Sequence, residues 1–233
     1  MNDIYSIENS AVLKNLLGIT NEKELDLAEA ELSRANMMLL YEKGFDDFSS
    51  EGFCLIHKML FGEIYEWAGQ YRKINILKRE KLLAGQSVWY SDVMNIGREL
   101  DNAFSEINKV SWTSLTKEDF VKKLARLFPK LWQVHPFREG NTRTTVMMMT
   151  FFTEHFGYYF NQTLMADSAE YVRDSFVLAS LGEHSEFEHL EKILLDAICT
   201  EPIDYSGDSE ENCTAKEKYG SDNYQPAKHE YRA

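Results

Sequence analysis

Residues 132–146 carry the most informative pattern in the chain, and they read Trp132-Gln133-Val134-His135-Pro136-Phe137-Arg138-Glu139-Gly140-Asn141-Thr142-Arg143-Thr144-Thr145-Val146. An apolar run ends at Val134, His135 follows at once, and a loop with a glycine at position 140 leads into a second apolar run. The pattern predicts a helix, a short loop and another helix. A helix start offers N–H groups and the positive end of the helix dipole, and both attract anions. Gly140 lets the backbone approach a ligand closely, so the loop predicts an anion site.

The same loop carries side chains that phosphate chemistry uses. His135 can accept a proton near neutral pH, and Glu139 offers oxygen ligands suited to Mg²⁺. Arg138 and Arg143 add guanidinium groups, and Asn141 adds a neutral donor. Together these residue types predict a phosphoryl or nucleotidyl transfer site. The alternative is a plain helix–loop–helix turn with a capping asparagine and solvated charges.

Charge and composition exclude several classes of protein. The 233 residues contain 25 Lys and Arg against 38 Asp and Glu, a formal charge of -13, which repels nucleic acids and anionic membranes. No apolar run approaches the roughly 18 residues of a membrane span, and the first residues lack the pattern of a signal peptide. Three cysteines, Cys54, Cys199 and Cys213, form no C-x-x-C pair. We therefore expect a cytoplasmic protein with no nucleic-acid or membrane partner.

Hydrophobic spacing outside the loop predicts a mainly helical chain. Asn21 with Glu24 forms a capping box for the first helix, and Gly44 ends it. The pattern of apolar residues predicts helices over about residues 21–43, 50–69, 91–109, 116–134, 141–156, 168–181 and 185–200. Residues 71–90 instead alternate around a charged turn, which predicts one small β-hairpin. The fold class expected is all-α with this hairpin as a flap.

The segment 135–143 resembles the signature of Fic (filamentation induced by cAMP) proteins, H-x-F-x-[D/E]-G-N-G-R-x-x-R. Residues 64–72, Ile-Tyr-Glu-Trp-Ala-Gly-Gln-Tyr-Arg, and residues 13–20 resemble the stretches that precede this signature in the family. The resemblance covers most of residues 10–200. It implies a helical leader at 1–48 and a Fic domain at 49–200. The composition of residues 201–233 predicts a polar, acidic tail.

The resemblance implies a protein adenylyltransferase, which transfers AMP from ATP to a Ser, Thr or Tyr hydroxyl of a protein, including itself. His135 would be the base and Glu139 would hold Mg²⁺. The residues expected to bind the nucleotide are Lys78, Arg79, Arg138, Gly140, Asn141, Thr142, Arg143 and Thr144. A target protein would dock on the flap at residues 71–90. A second copy of the chain or an antitoxin-like regulator would be a further partner.

Two positions depart from the family pattern. Thr142 replaces the second glycine, and a β-branched residue disfavours a positive φ, so this turn should be helical. Val146 replaces the second arginine, which in the family contacts the γ-phosphate and pairs with an inhibitory glutamate. We therefore expect substitution of Glu51 or Glu210, in the nearest matches to the inhibitory motif, not to activate the protein. Two alternatives stay open: a nucleotide-binding or interaction module that no longer turns over, and a phosphotransferase with another donor specificity.

Overall fold

The structure is a computed structural model that describes residues 3–203 together with residues 218 and 219. Its helices are α1 Glu22–Lys43, α2 Ser50–Phe61, α3 Ile96–Asn108, α4 Lys117–Val134, α5 Asn141–His155, α6 Gln162–Asp167, α7 Ala169–Leu178 and α8 Glu188–Ala197. Two strands, β1 Tyr159–Phe160 and β2 Ile198–Cys199, pair antiparallel. The mainly helical fold that the sequence predicts is confirmed.

Helix α1 has the ends that its sequence predicts. The Asn21 side chain accepts a hydrogen bond from the Glu24 N–H at 3.1 Å. At the other end Gly44 has a φ of 75° and donates its N–H to the Leu40 carbonyl. The buried residues are Leu25, Glu29, Ser33 and Leu40. The buried face of α1 is therefore partly polar, which becomes important at the functional site.

Helices α2, α3, α7 and α8 are shorter than their hydrophobic patterns predict. Helix α2 ends at Phe61 instead of continuing to residue 69, because tight turns follow in which the Ile64 and Tyr65 N–H groups both donate to the Phe61 carbonyl. Helix α3 begins at Ile96 instead of residue 91. Its start is delayed because the Asp92 carboxylate and carbonyl accept N–H groups of the residues that follow.

The strand pair lies elsewhere than the predicted flap. Residues 71–90 contain no strand; they contain a short 3-10 helix at Lys81–Leu83 instead. A tight turn joins the Glu80 N–H to the Gln86 carbonyl at 2.8 Å. The buried residues of this turn are Glu80, Leu83 and Val88. Their spacing of three and five residues does not give the single buried face that a hairpin strand needs, so the prediction of a hairpin here is wrong.

The described residues form two compact units. The first comprises residues 3–76, Ser91–Ser105 and Val134–Phe152, and the second comprises Leu77–Tyr90, Glu106–Gln133 and the described residues from Thr153 onward. Within the first unit Phe53 packs against Phe104 and Phe137. Within the second unit the Trp132 and Phe176 rings stack with centroids 5.9 Å apart. In the part of the chain described here, no helix has the length and apolar character of a membrane span.

Candidate active site

The loop between α4 and α5 holds His135 in an unusual backbone conformation. His135 directly follows the end of α4 and has a φ of 49°, in the left-handed region. Such a conformation costs about 1–3 kcal/mol in a residue other than glycine, and it persists only where the surroundings impose it. The side chain is 2% exposed. The loop therefore stores strain at the residue that the sequence predicts to be the base.

Phe137 and Asn141 close the loop. Phe137 is fully buried, and its ring stacks on the His57 ring with centroids 3.8 Å apart. The Asn141 side chain accepts from the Phe137 N–H at 3.0 Å and donates to the Phe137 carbonyl at 2.9 Å. Asn141 is itself buried. The amide of Asn141 thus holds the loop in shape in this structure.

Gly140 is required by packing inside the protein. Its φ is 81°, and a Cβ atom built on it would lie 2.4 Å from the Phe61 ring. Since the ring cannot retreat from the core, no residue with a side chain fits here. The sequence predicts that Gly140 lets a ligand approach. The structure shows that the packing of Phe61 by itself already requires a glycine at this position.

His57 on α2 supports the loop from below, and sequence reasoning missed it. Its Nδ1 accepts the Gly69 N–H at 2.9 Å, so the ring proton is on Nε2, which donates to the Glu139 carbonyl at 2.9 Å. The ring is fully buried, and burial lowers the pKa of His57 to about 3. The available signal was its position beside Ile56 on the apolar face of α2.

Glu139 presents a partly exposed carboxylate just ahead of α5. The side chain is 34% exposed, and Oε1 accepts the Gly140 N–H at 3.2 Å. Its other oxygen lies 4.0 Å from Arg138. A carboxylate at a helix start is the kind of oxygen ligand that Mg²⁺ uses together with substrate phosphates.

Each of the two arginines of the motif pairs with a carboxylate from the N-terminal segment. Arg138 forms an ion pair with Asp3, with N–O distances of 2.7 and 2.8 Å. Arg143 pairs with Glu29 of α1, and its other terminal nitrogen donates to Ser33 Oγ at 2.7 Å. Sequence reasoning missed both carboxylates. The four-residue spacing of Leu25, Glu29 and Ser33 along one face of α1 was the signal available for Glu29.

The Arg143 cluster is extended by two aromatic residues. The Arg143 guanidinium lies 4.8 Å from the centre of the Phe61 ring. The buried Tyr65 hydroxyl donates to the Glu29 carboxylate. Burial and then the charge of Glu29 raise the pKa of Tyr65 far above its ordinary value, so the hydroxyl stays protonated. Glu29 therefore connects α1 to both Arg143 and Tyr65.

The first turn of α5 has the predicted conformation at Thr142, which lies within the helix. Thr144 is buried, and both its N–H and its hydroxyl donate to the Gly140 carbonyl at 3.0 Å. The N–H of Thr144 is therefore already used inside the helix.

The remaining predicted residues belong to other segments of the chain. Lys78 and Arg79 belong to the second unit, where the Lys78 N–H donates to Ser87 Oγ at 3.2 Å; their part in nucleotide binding stays a prediction. Glu51 is exposed in the first turn of α2. Burial raises the pKa of the Cys54 thiol to about 11, which argues against a nucleophile. Cys213 and Glu210 fall outside the described residues.

The sequence of this chain is similar to those of known proteins. Residues 47–153 match the model of the Fic/DOC family. A probable protein adenylyltransferase of Sinorhizobium fredii is 32% identical over 149 residues, which cover 63% of this chain and 73% of that protein. The chain belongs to the Fic/DOC family.

Other Fic/DOC relatives agree in fold. A protein adenylyltransferase of Bartonella henselae is 29% identical over 198 residues, which are 80% of this chain but only 36% of that protein. A Fic domain from Bartonella quintana with bound ADP superposes with a TM-score of 0.71 at 24% identity, covering 83% of this chain and 94% of that one. BepC of Bartonella tribocorum, with bound AMPPNP, superposes with a TM-score of 0.71 at 19% sequence identity. The superposition covers 85% of this chain and 97% of BepC. The two solved structures show a common fold.

The range that matches the Fic/DOC family contains some of the residues that contact the loop but not all of them. His57 and Phe61 lie within residues 47–153, as does the loop itself. Asp3 and Glu29, which hold the two arginines, lie before that range. In this member of the Fic/DOC family, the N-terminal segment therefore completes the charge arrangement around the motif.

Proposed function

We propose that the protein is an adenylyltransferase that transfers AMP from ATP to a hydroxyl of a protein. The observation that carries the proposal is one loop in a Fic/DOC chain. His135 directly follows the end of α4, and Glu139 lies two residues before α5 begins at Asn141. The similarity to proteins named as adenylyltransferases supports the choice of reaction. The solved relatives with ADP and AMPPNP support a nucleotide as the ligand.

His135 is the proposed base. The target hydroxyl oxygen forms a bond to the α-phosphorus of ATP, the bond from that phosphorus to the pyrophosphate oxygen breaks, and the hydroxyl proton passes to the imidazole of His135. The strained backbone and the burial of His135 fix the ring before substrate arrives, which favours a reaction that depends on positioning.

The start of α5 is the proposed phosphate site. The N–H groups of its first turn and the positive end of its dipole favour the negative charge of the phosphates. Arg138 and Arg143 contribute guanidinium groups, although each already pairs with a carboxylate. Gly140 and Asn141 hold the loop ahead of this turn in shape, through packing against Phe61 and a hydrogen bond to Phe137.

Glu139 is the proposed magnesium ligand. Among the residues that the structure describes, no group of three or more His, Cys, Asp and Glu side chains could hold a metal ion by itself. One carboxylate beside substrate phosphates is nevertheless a usual setting for Mg²⁺. When bound, Mg²⁺ would offset the negative charge of the phosphate oxygens.

Labelled ATP tests the proposal directly. We expect label from the α-phosphate to become attached to protein in lysate when Mg²⁺ is present, and His135→Ala to abolish this. His184→Ala, at an exposed histidine of the second unit, is the matched control and keeps full transfer. Label on the protein's own band reports self-modification. No α-label on any protein would refute the adenylyltransferase proposal.

Glu139→Ala tests the metal assignment in the same assay. We expect transfer to fall strongly while thermal unfolding stays close to that of the wild type, because the Glu139 side chain is partly exposed. Transfer at the wild-type rate would exclude Glu139 as a metal ligand.

A second candidate function is a nucleotide-binding module without transfer. The observation that favours it is that both motif arginines are already neutralised by Asp3 and Glu29. ATP binding without covalent labelling would support this module, and transfer of the γ-label would support a phosphotransferase.

We place the reaction in the cytoplasm, where ATP is available and thiols such as Cys54 and Cys199 stay reduced. Residues 71–90 are the proposed docking segment for the target protein. In this segment Leu77 and Trp89 are 73% and 81% exposed, which offers apolar surface to a partner.

A further inference from the structure

Arg72 is a buried arginine outside the motif, in the segment that precedes residues 77–90. It is 2% exposed and is one of the largest fully buried side chains of the protein. A buried cation is costly unless hydrogen bonds satisfy it, so its contacts should explain its presence.

The contacts of Arg72 converge on the dipeptide that begins the catalytic loop. Its Nε donates to the His135 carbonyl at 2.9 Å, and its backbone N–H donates to the Pro136 carbonyl at 2.7 Å. Two consecutive carbonyls are therefore held by one residue. Each bond fixes the orientation of one of two consecutive peptide groups, His135–Pro136 and Pro136–Phe137.

The other donors of Arg72 fasten it to the rest of the first unit. One terminal nitrogen donates to the Ile74 carbonyl at 2.8 Å and lies 3.4 Å from Asn75 Oδ1. The other donates to the Ser91 carbonyl. The planar guanidinium thus cannot rotate without breaking several bonds at once.

The backbone of His135 needs such a clamp. Its φ of 49° lies in the left-handed region, and the following proline restricts the conformations open to it. Without the bond from the Arg72 side chain only the backbone bond to the Pro136 carbonyl remains, and His135 would relax to a common conformation and carry its imidazole away. A shift of about 1 Å in a reacting group can cost about a hundredfold in rate.

We propose that Arg72 is a positioning residue that holds His135 in its reactive orientation. The inference rests on the proposed function, in which His135 is the base. A residue that only stabilised the fold would affect nucleotide binding, rate and stability together. A positioning residue affects the rate of transfer while nucleotide binding stays.

The test compares Arg72→Lys and Arg72→Met with wild type in full-length protein. Lysine keeps the charge and one donor but loses the fork, whereas methionine keeps only the length. We expect kcat for AMP transfer to fall at least tenfold in Arg72→Lys and about a hundredfold in Arg72→Met, with KM for ATP unchanged within threefold. Arg126→Lys, at the ion pair with Glu191 in the second unit, is the matched control and keeps kcat.

Nuclear magnetic resonance of the histidine rings gives a readout that does not need activity. In Arg72→Lys the ring signals of His135 should shift or broaden, while those of His57 stay. Wild-type kcat in Arg72→Lys would overturn the inference, as would equal shifts of both rings with a parallel loss of ATP binding. Unchanged His135 signals would overturn it too. If wild type transfers no AMP, the proposed function fails, and the ring signals still decide whether Arg72 holds His135.

Discussion

At the scale of single residues, the loop is shaped by side chains that take no part in the proposed reaction. His57 and Phe61 carry no charge, yet His57 holds the Glu139 carbonyl and Phe61 excludes any residue but glycine at position 140. The Glu139 carbonyl and Gly140 are therefore positioned by neutral, buried partners. Because His57 is fully buried, protonation of its ring would destabilise the folded state.

The free energy of unfolding should fall with acid because of His57. Its pKa is about 3 in the folded state, below the roughly 6.5 of an unperturbed histidine, so the unfolded state binds the proton first as the pH falls. Stability is fully present above about pH 6.5 and should drop by about 2 kcal/mol between pH 7 and 5.

Urea unfolding at several pH values measures this effect, with His57→Asn as the variant that lacks the ionisable ring. Ring resonances of His57 that remain those of a neutral Nε2–H tautomer at pH 5 provide an independent check. A His57 ring that titrates near pH 6.5 would contradict the prediction.

At the scale of elements, α1 supplies a buried carboxylate to a helix more than a hundred residues away in sequence. Glu29 is 8% exposed and binds both the Arg143 guanidinium of α5 and the Tyr65 hydroxyl. Buried charges are stable only when paired, so α1 and α5 depend on each other here. The pair also removes positive charge from the turn where phosphates are proposed to bind.

Glu29→Gln should separate the two effects of this pair. Losing a charge-assisted bond should lower the free energy of unfolding by about 1–3 kcal/mol. The same change frees the charge of Arg143, so affinity for ATP should rise severalfold at low salt and less at high salt. Urea unfolding and calorimetric titration with ATP measure the two quantities.

The matched control is Glu31→Gln, because Glu31 is an exposed residue of the same helix. It should change neither quantity appreciably. Weaker ATP binding in Glu29→Gln would show instead that Glu29 is needed to orient Arg143.

At the scale of the whole molecule, residues 218 and 219 of the acidic C-terminal segment pack against α7 and α8. Tyr219 is 4% exposed, its hydroxyl donates to the Asp196 carboxylate of α8, and its ring packs edge-on against Tyr171 at 4.9 Å. Lys218 forms an ion pair with the same carboxylate. Burial and the Asp196 bond raise the pKa of Tyr219, which keeps the hydroxyl protonated and bound.

Tyr219 should account for most of the stability that this segment contributes. We expect Tyr219→Phe to cost about 1 kcal/mol for the hydrogen bond and Tyr219→Ala about 3 kcal/mol, since the ring is lost as well. A chain truncated after Thr200 should resemble Tyr219→Ala in urea unfolding.

Tyr159→Phe, at an exposed tyrosine of the same unit, is the control and should be neutral. A truncated chain as stable as wild type would show that the Tyr219 contacts add nothing to the free energy of unfolding.

The sequence by itself determined the helical class, the capped ends of α1, and the residues of the loop, since all of these depend on local spacing and residue type. Asn21 caps its own helix, Gly44 ends it, and His135 to Asn141 are adjacent along the chain. The sequence also anticipated that Thr142 would be helical, from the steric preference of one residue.

Only the tertiary structure decided what surrounds those residues. Glu29, His57 and Arg72 act on the loop through contacts with partners 63 to 114 residues away, which no local pattern encodes. The prediction of a hairpin at residues 71–90 is wrong for the same reason. The alternation of residues suggested strands, but it does not show that Glu80 is buried in an ion pair with Arg173 of α7. Local spacing describes what a segment can form, whereas a buried charge lies where its distant partner is.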